Sequence, residues 1–237
     1  MFGAARQGVR SGGWKVYGGL TVVGAVGGYY CSPFSVLRYV TEHELPMRGT
    51  LEAAEYSSEI EKDLNRLPIV RRLKEESRYK QIRSWENMKD KSRLEKLFTA
   101  GTLRTPGGLS IEPMVFVDTE EKSSVAIVHC GRLLTGFPLI VHGGVLGTLL
   151  DEALARIAFL SFKVPVGVTA NLDINYKAPT LAHQFLVIKT WTEEVKDGRK
   201  ALVAGSVQTT HGKELVNARA TFVTPKKLNL EKSLDYF

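Results

Sequence analysis

The chain has 237 residues, 43% hydrophobic and 24% charged, with a formal net charge of +7. That composition excludes global disorder and leaves room for one ordinary domain with additional segments. The positive balance favours anionic partners such as coenzyme phosphates or an acidic membrane surface. Nucleic acid is not expected, because no zinc-finger spacing and no regular basic–aromatic interleaving occurs. Cys31 and Cys130, the only two cysteines, make no disulfide framework.

Residues 1–41 carry Arg6, Arg10, Lys15 and Arg38 but no acidic residue, the pattern of a mitochondrial targeting segment. Between Val16 and Leu37 lie 22 uncharged residues. As a helix they would reach roughly 33 Å, about the thickness of a bilayer core. Gly24 and Gly28 would allow close helix packing, whereas five glycines and Pro33 weaken a continuous span. Two outcomes stay open: a transmembrane helix over 16–37, or a presequence removed on import. A secretory signal is the third and weakest option.

Residues 42–105 form a charged, helical region. A helix is expected from Leu51 to Leu67, stopped at Pro68, and a second from about Ser84 to Phe98, offering Trp85, Met88, Leu94 and Leu97. Thr105-Pro106-Gly107-Gly108 then marks the entry to a β-rich domain over 106–225, followed by a tail at 226–237. Strands are expected at Met114–Val117 and Ser124–His129, and a loop at Gly131–Val141. A helix at His142–Leu160 follows, then strands at Gly167–Tyr176, Gln184–Thr192, Ala201–Thr210 and Leu215–Thr224. Lys196-Asp197-Gly198-Arg199 and His211-Gly212-Lys213 read as hairpin turns. Tight hairpins exclude a doubly wound parallel sheet and favour an α+β fold, an antiparallel sheet wrapped round one long helix.

Along that helix Leu146, Leu149, Leu150, Ala153, Leu154 and Ile157 make one apolar stripe, with Asp151 at its flank. A half-buried carboxylate is unusual unless it is paired or functional, and burial makes it a better base. Glu152 falls on the more solvent-facing side. A bland alternative pairs Asp151 with Arg156. Gly143 and Gly144 at the helix start cost propensity and suit a close approach by a ligand, where exposed N–H groups can hold an oxyanion. His142 caps or orients this turn. The pattern points to thioester chemistry, with a carboxylate as nucleophile or general base.

His142-Gly143-Gly144 with Asp151 resembles the signature of hotdog-fold thioesterases of the phenylacetic-acid-degradation type. The run Thr169 to Pro179 and the turn at Asp197–Lys200 are similar to mitochondrial acyl-CoA thioesterases of the thioesterase-superfamily-member type. That group includes the carboxyl-terminal modulator protein. The likeness covers roughly residues 110–225; the first hundred residues look like those of fungal mitochondrial relatives.

The resemblance implies hydrolysis of fatty acyl-CoA without metal or other cofactor. It assigns Asp151 as the catalytic carboxylate and an amide of Gly143 or Gly144 as the oxyanion donor, and gives Thr169 a positioning hydroxyl. Asn175 and Lys177 match contacts to coenzyme A, and Arg199 and Lys200 lie where they could meet its phosphates. It also implies a homodimer or dimer of dimers with shared sites; the first 41 residues point to the mitochondrion, with the inner membrane as one anchoring place if 16–37 spans. One departure stands out: some relatives carry a water-orienting Asn in the loop before His142, and Gly136–Val141 has none. A non-catalytic acyl-CoA-binding or scaffold protein on the same fold is the alternative. Hydratase chemistry is disfavoured, since Arg156 stands five residues after Asp151 and the helix holds no second histidine.

Overall fold

The computed structural model describes residues 44–86 and 91–225. The chain divides into two compact units, Met1–Glu44 and Leu45–Phe237. The first falls, apart from Glu44, outside the described residues, as do the apolar segment 16–37 and the tail at 226–237. Among the described residues no helix is long and apolar enough to cross a membrane.

Helix α1 (Leu51–Arg66) starts where Thr50 accepts the Ala53 N–H at 3.2 Å. Pro68 both ends it and opens α2 (Pro68–Glu75), because proline tolerates the first helical position and forbids an interior one. Strand β1 (Lys80–Arg83) follows, then the short α3 (Lys91–Leu94) and a π-helical turn at Phe98–Thr102. Next come β2 (Met114–Asp118), β3 (Ser123–Cys130), and the two-stranded β4 (Thr135–Phe137) and β5 (Ile140–Val141). Helix α4 (Gly143–Leu160) precedes β6 (Val168–Tyr176), β7 (Gln184–Lys196), β8 (Lys200–Thr209) and β9 (Glu214–Val223).

Seven strands form one sheet in the order β1-β2-β3-β7-β8-β9-β6, every pairing antiparallel. Its inner face wraps α4: Leu149, Leu150, Leu154 and Ile157 are buried against Leu186, Ile188, Val203, Val216 and Phe222. This is the α+β architecture that the hairpin-rich pattern favours, and the hotdog fold that the resemblance implies. Asp197 and Gly198, at φ 56° and 64°, make the β7–β8 turn, a conformation that favours Asp-Gly. On the outer face α1 and α2 contribute Ile60, Leu64, Val70 and Leu73 to a second cluster with Met114, Phe116, Val125 and Ile127. Strand β2, covered on both faces, is therefore apolar from Met114 to Val117 rather than alternating, and ends on the buried Asp118. Strand β6 is the opposite: an edge strand on which only Leu172 and Ile174 are partly covered.

Two expectations need correction. The helix foreseen at Ser84–Phe98 is, among the described residues, a turn at Ser84–Glu86 and one helical turn at Lys91–Leu94. Its start is taken by the segment just ahead of β2: Ser84 N–H donates to Pro113 O at 3.1 Å, and Trp85 N–H to Glu112 Oε1 at 2.5 Å. Trp85 is buried as the apolar spacing suggested, without a helix to carry it. The sheet also begins earlier than residue 106. Lys80–Arg83, between the two expected helices of the charged helical region, pairs with Met114–Val117 as an edge strand.

Candidate active site

Each peptide at the start of α4 is held from a different direction. The His142 N–H donates to Leu134 O at 2.8 Å, and its carbonyl accepts from Val145 N (3.0 Å) and Leu146 N (3.3 Å). His142 Nδ1 accepts the Gly144 N–H at 2.9 Å, so the ring caps the helix with its proton on Nε2. The Tyr176 hydroxyl, at the end of β6, donates to the Gly143 carbonyl at 2.8 Å. Thr148 Oγ1 donates to Gly144 O at 2.9 Å. The Gly143 N–H, first of the helix, is left with no protein acceptor among the described residues. Both glycines keep this turn uncrowded: a Cβ on Gly143 would lie 3.3 Å from the Tyr176 hydroxyl, and one on Gly144 3.0 Å from His142 Nδ1, so either side chain would have to give by a few tenths of an ångström.

Asp151 lies two turns along, half-buried at the flank of the apolar stripe. Its Oδ1 accepts from Thr169 Oγ1 at 2.8 Å; among the described residues Oδ2 has no partner. The Asp151–Arg156 pair does not form, because Arg156 turns away and donates to Ser84 Oγ at 3.3 Å. Glu152 was expected to face solvent and does not. It turns toward the π-helical turn, where Thr99, itself buried, donates to Glu152 Oε1 at 2.8 Å. Burial pushes the Glu152 carboxyl up despite the Thr99 hydrogen bond and the nearby Arg156 charge, and burial pulls Arg156 down. The apolar stripe did not reveal this contact, because the covering segment lies some fifty residues upstream.

Geometry separates these groups into two half-sites. Eight residues of α-helix separate Gly143 from Asp151, about 12 Å of rise. On the strand facing that helix, Thr169 and Tyr176 stand at opposite ends, about 23 Å apart. Asp151 and Thr169 share an end with Arg199 and Lys200, since Lys200 pairs with Val223 and Val223 with Val168. Arg199 there donates to Thr224 O at 3.1 Å. The other end holds His142, Gly143, Gly144, Tyr176, Asn175 and Lys177. Lys177 Nζ bonds Glu214 Oε1 at 2.6 Å. Asn175 and Lys177 line an open trough of about 910 Å³ together with Trp191, Asn217 and Arg219. The Tyr176 hydroxyl and the Thr148 back-bond were not anticipated, although Tyr176 closes the strand motif that was singled out. Among the described residues no three His, Cys, Asp or Glu side chains gather in a metal-holding group.

Comparison with known proteins bears on this arrangement. The family profile described as Thioesterase superfamily matches residues 140–200, the stretch with α4 and β6. The Saccharomyces cerevisiae protein named "Uncharacterized mitochondrial membrane protein FMP10" is 32% identical over 215 residues, 88% of this chain and 83% of its own. Acyl-coenzyme A thioesterase THEM4 of Rattus norvegicus is 34% identical over 128 residues, 54% of this chain and 53% of that protein. Among solved structures, a putative thioesterase related to phenylacetic acid degradation, from Ralstonia eutropha JMP134, is 23% identical. It covers 56% of this chain and 98% of its own, with a TM-score of 0.46. From the profile match across both half-sites and the relatives that align beyond it, the chain belongs to the thioesterase superfamily.

Proposed function

We propose that this protein hydrolyses fatty acyl-CoA to a free fatty acid and coenzyme A, acting as a dimer in the mitochondrion. The observation that carries the reading is Asp151: a half-buried carboxylate with one oxygen held by Thr169 and the other open. Such a group can take a proton from an attacking water, or attack the thioester itself. In the first route the water oxygen bonds to the carbonyl carbon and the carbonyl electrons move onto oxygen. A backbone N–H stabilises that oxyanion. Collapse breaks the C–S bond, and the proton held by Asp151 passes to the departing thiolate.

The Gly143 N–H is the donor best suited to the oxyanion, because the Gly144 N–H is occupied by His142. A reacting carbonyl must lie about 3 Å from both donor and carboxylate, and about 12 Å of helix separates them within one chain. A second copy resolves this. Strand β6 offers an open, exposed edge of the kind that invites strand pairing. Antiparallel pairing of two such edges sets the Gly143 end of one chain beside the Asp151 end of the other. It also brings Lys177 and Asn175 of one chain toward Arg199 and Lys200 of the other, a concentration of positive charge suited to coenzyme phosphates.

The acid-free, arginine-bearing first 41 residues support a mitochondrial address. So do the names of relatives, a yeast mitochondrial membrane protein and a Candida albicans mitochondrial protein. Residues 16–37 are proposed as the anchor in the inner membrane, and retention of the protein in the pellet after carbonate extraction tests it. The loop at Gly136–Val141, lacking an Asn, favours a second reading, acyl-CoA binding without turnover. Both are decided by coenzyme A release from a panel of acyl chain lengths. Wild type should turn over and Asp151→Asn should lose 100-fold or more with an unchanged unfolding temperature. Equal turnover by the variant overturns the assignment, and tight binding without wild-type turnover establishes the second reading.

A further inference from the structure

An oxyanion donor works only if it is aimed before the charge appears, since its value comes from needing no reorganisation during reaction. The start of α4 is a poor place to keep a donor aimed. Helix ends fray, and two successive glycines give the backbone its widest choice of angles. The Gly143–Gly144 peptide is nevertheless gripped at both ends. Its N–H donates to His142 Nδ1 at 2.9 Å, and its carbonyl accepts from the Tyr176 hydroxyl at 2.8 Å. A peptide unit is planar, so fixing both of its ends fixes its tilt. That tilt in turn limits how far the neighbouring Gly143 N–H can swing.

We propose that Tyr176 is a positioning residue. Its hydroxyl, pulling on the Gly143 carbonyl while His142 holds the Gly144 N–H, keeps the Gly143 N–H directed at the oxyanion. This rests on the thioesterase reading above. The tyrosine reaches the turn from a separate element, the last residue of β6, so the hold does not depend on the helix it steadies. Room for the phenol comes from the helix itself. A Cβ on Gly143 would lie 3.3 Å from the hydroxyl oxygen, and one on Gly147 would lie 3.9 Å from it. The ring is half-exposed, yet its one polar atom is committed to the backbone. Donation to the carbonyl also polarises the peptide and strengthens the hydrogen bond from its own N–H to His142. The two grips therefore reinforce each other.

Tyr176→Phe keeps the ring and removes only the hydroxyl. In the full chain we expect kcat to fall about tenfold, the worth of one hydrogen bond, with KM within about twofold and an unchanged unfolding temperature. In protein labelled with 15N-glycine, the Gly144 amide should exchange slowly in wild type and faster in Tyr176→Phe. His142→Asn, whose side-chain oxygen can cap the helix, should retain more activity than His142→Ala. An unchanged kcat, or a rise in KM alone, overturns the positioning role, as does Gly144 exchange that ignores the hydroxyl. Should wild type show no turnover, the thioesterase reading fails, and with it the oxyanion role. The Gly144 exchange rates then still show whether Tyr176 grips the peptide.

Discussion

Thr169 Oγ1 donates to Asp151 Oδ1 at 2.8 Å, tying the first turn of an edge strand to the middle of the central helix. A carboxylate held by one oxygen presents the other in a fixed direction. Replacing Thr169 with Val preserves shape and removes the donor, so kcat should drop about tenfold. Thr169→Ser, which keeps the hydroxyl, should stay within about threefold of wild type. Steady-state turnover of the two variants at saturating acyl-CoA checks this, and a Val variant as fast as wild type refutes the role.

Gly143 permits the proposed donor to be deleted from the backbone. It is the first helical residue, where proline is accepted, and His142 before it already has the extended angles (φ −60°, ψ 132°) that proline requires of its predecessor. Gly143→Pro in the Tyr176→Phe background, which removes the hydroxyl oxygen that a Cβ at 143 would meet at 3.3 Å, should therefore fold while losing the free N–H, with turnover down about 10²–10³-fold from Tyr176→Phe alone. Mixing it with Asp151→Asn tests site sharing. Mixed dimers would hold one intact site, and activity should recover toward about one quarter of wild type after random exchange of subunits. No recovery, with exchange confirmed by mass, would place donor and carboxylate in one chain.

His129 gives a pH dependence separate from catalysis. It is buried on β3, against the rings of His183 and Phe185, and among the described residues its Nδ1 has no hydrogen-bond partner. Burial first, and the His183 charge second, push it down from 6.5 to about 4, with Asp63 opposing weakly. A base depressed in the folded state is protonated first in the unfolded chain, so stability is lost as pH falls from about 6.5 toward 4. The full loss approaches about 3 kcal/mol. His129→Phe should flatten the pH dependence of the unfolding free energy, measured by denaturant titration across that window, and an undiminished pH dependence in the variant contradicts the account.

Much of the architecture was legible because its signals are local. Asp197-Gly198 fixes a hairpin, Pro68 a helix boundary, and the stripe from Leu146 to Ile157 a buried face, all within a few residues of sequence. What was missed depends on distant partners. Lys80–Arg83 has no apolar alternation and becomes a strand only because β2 supplies its hydrogen bonds. Trp85 is drawn to the core by Glu112 and Pro113 rather than by helical spacing. Glu152 looked solvent-facing by helical period, and Thr99 covers it. At the proposed site, residue types singled out Asp151, Thr169 and the glycine turn, and the fold joins the first two by a hydrogen bond. They did not disclose which of the two glycine amides is already taken, since that depends on the His142 ring.

The fit of Gly136 beneath that ring restricts what substitution can achieve here. A Cβ at position 136 would stand 2.6 Å from His142 Cδ2, closer than any side chain tolerates. Introducing an amide at this position to recruit water would dislodge the imidazole and with it the cap on α4. Improvement at 136 is thus epistatic on 142: any lineage gaining the first must reinvent the second.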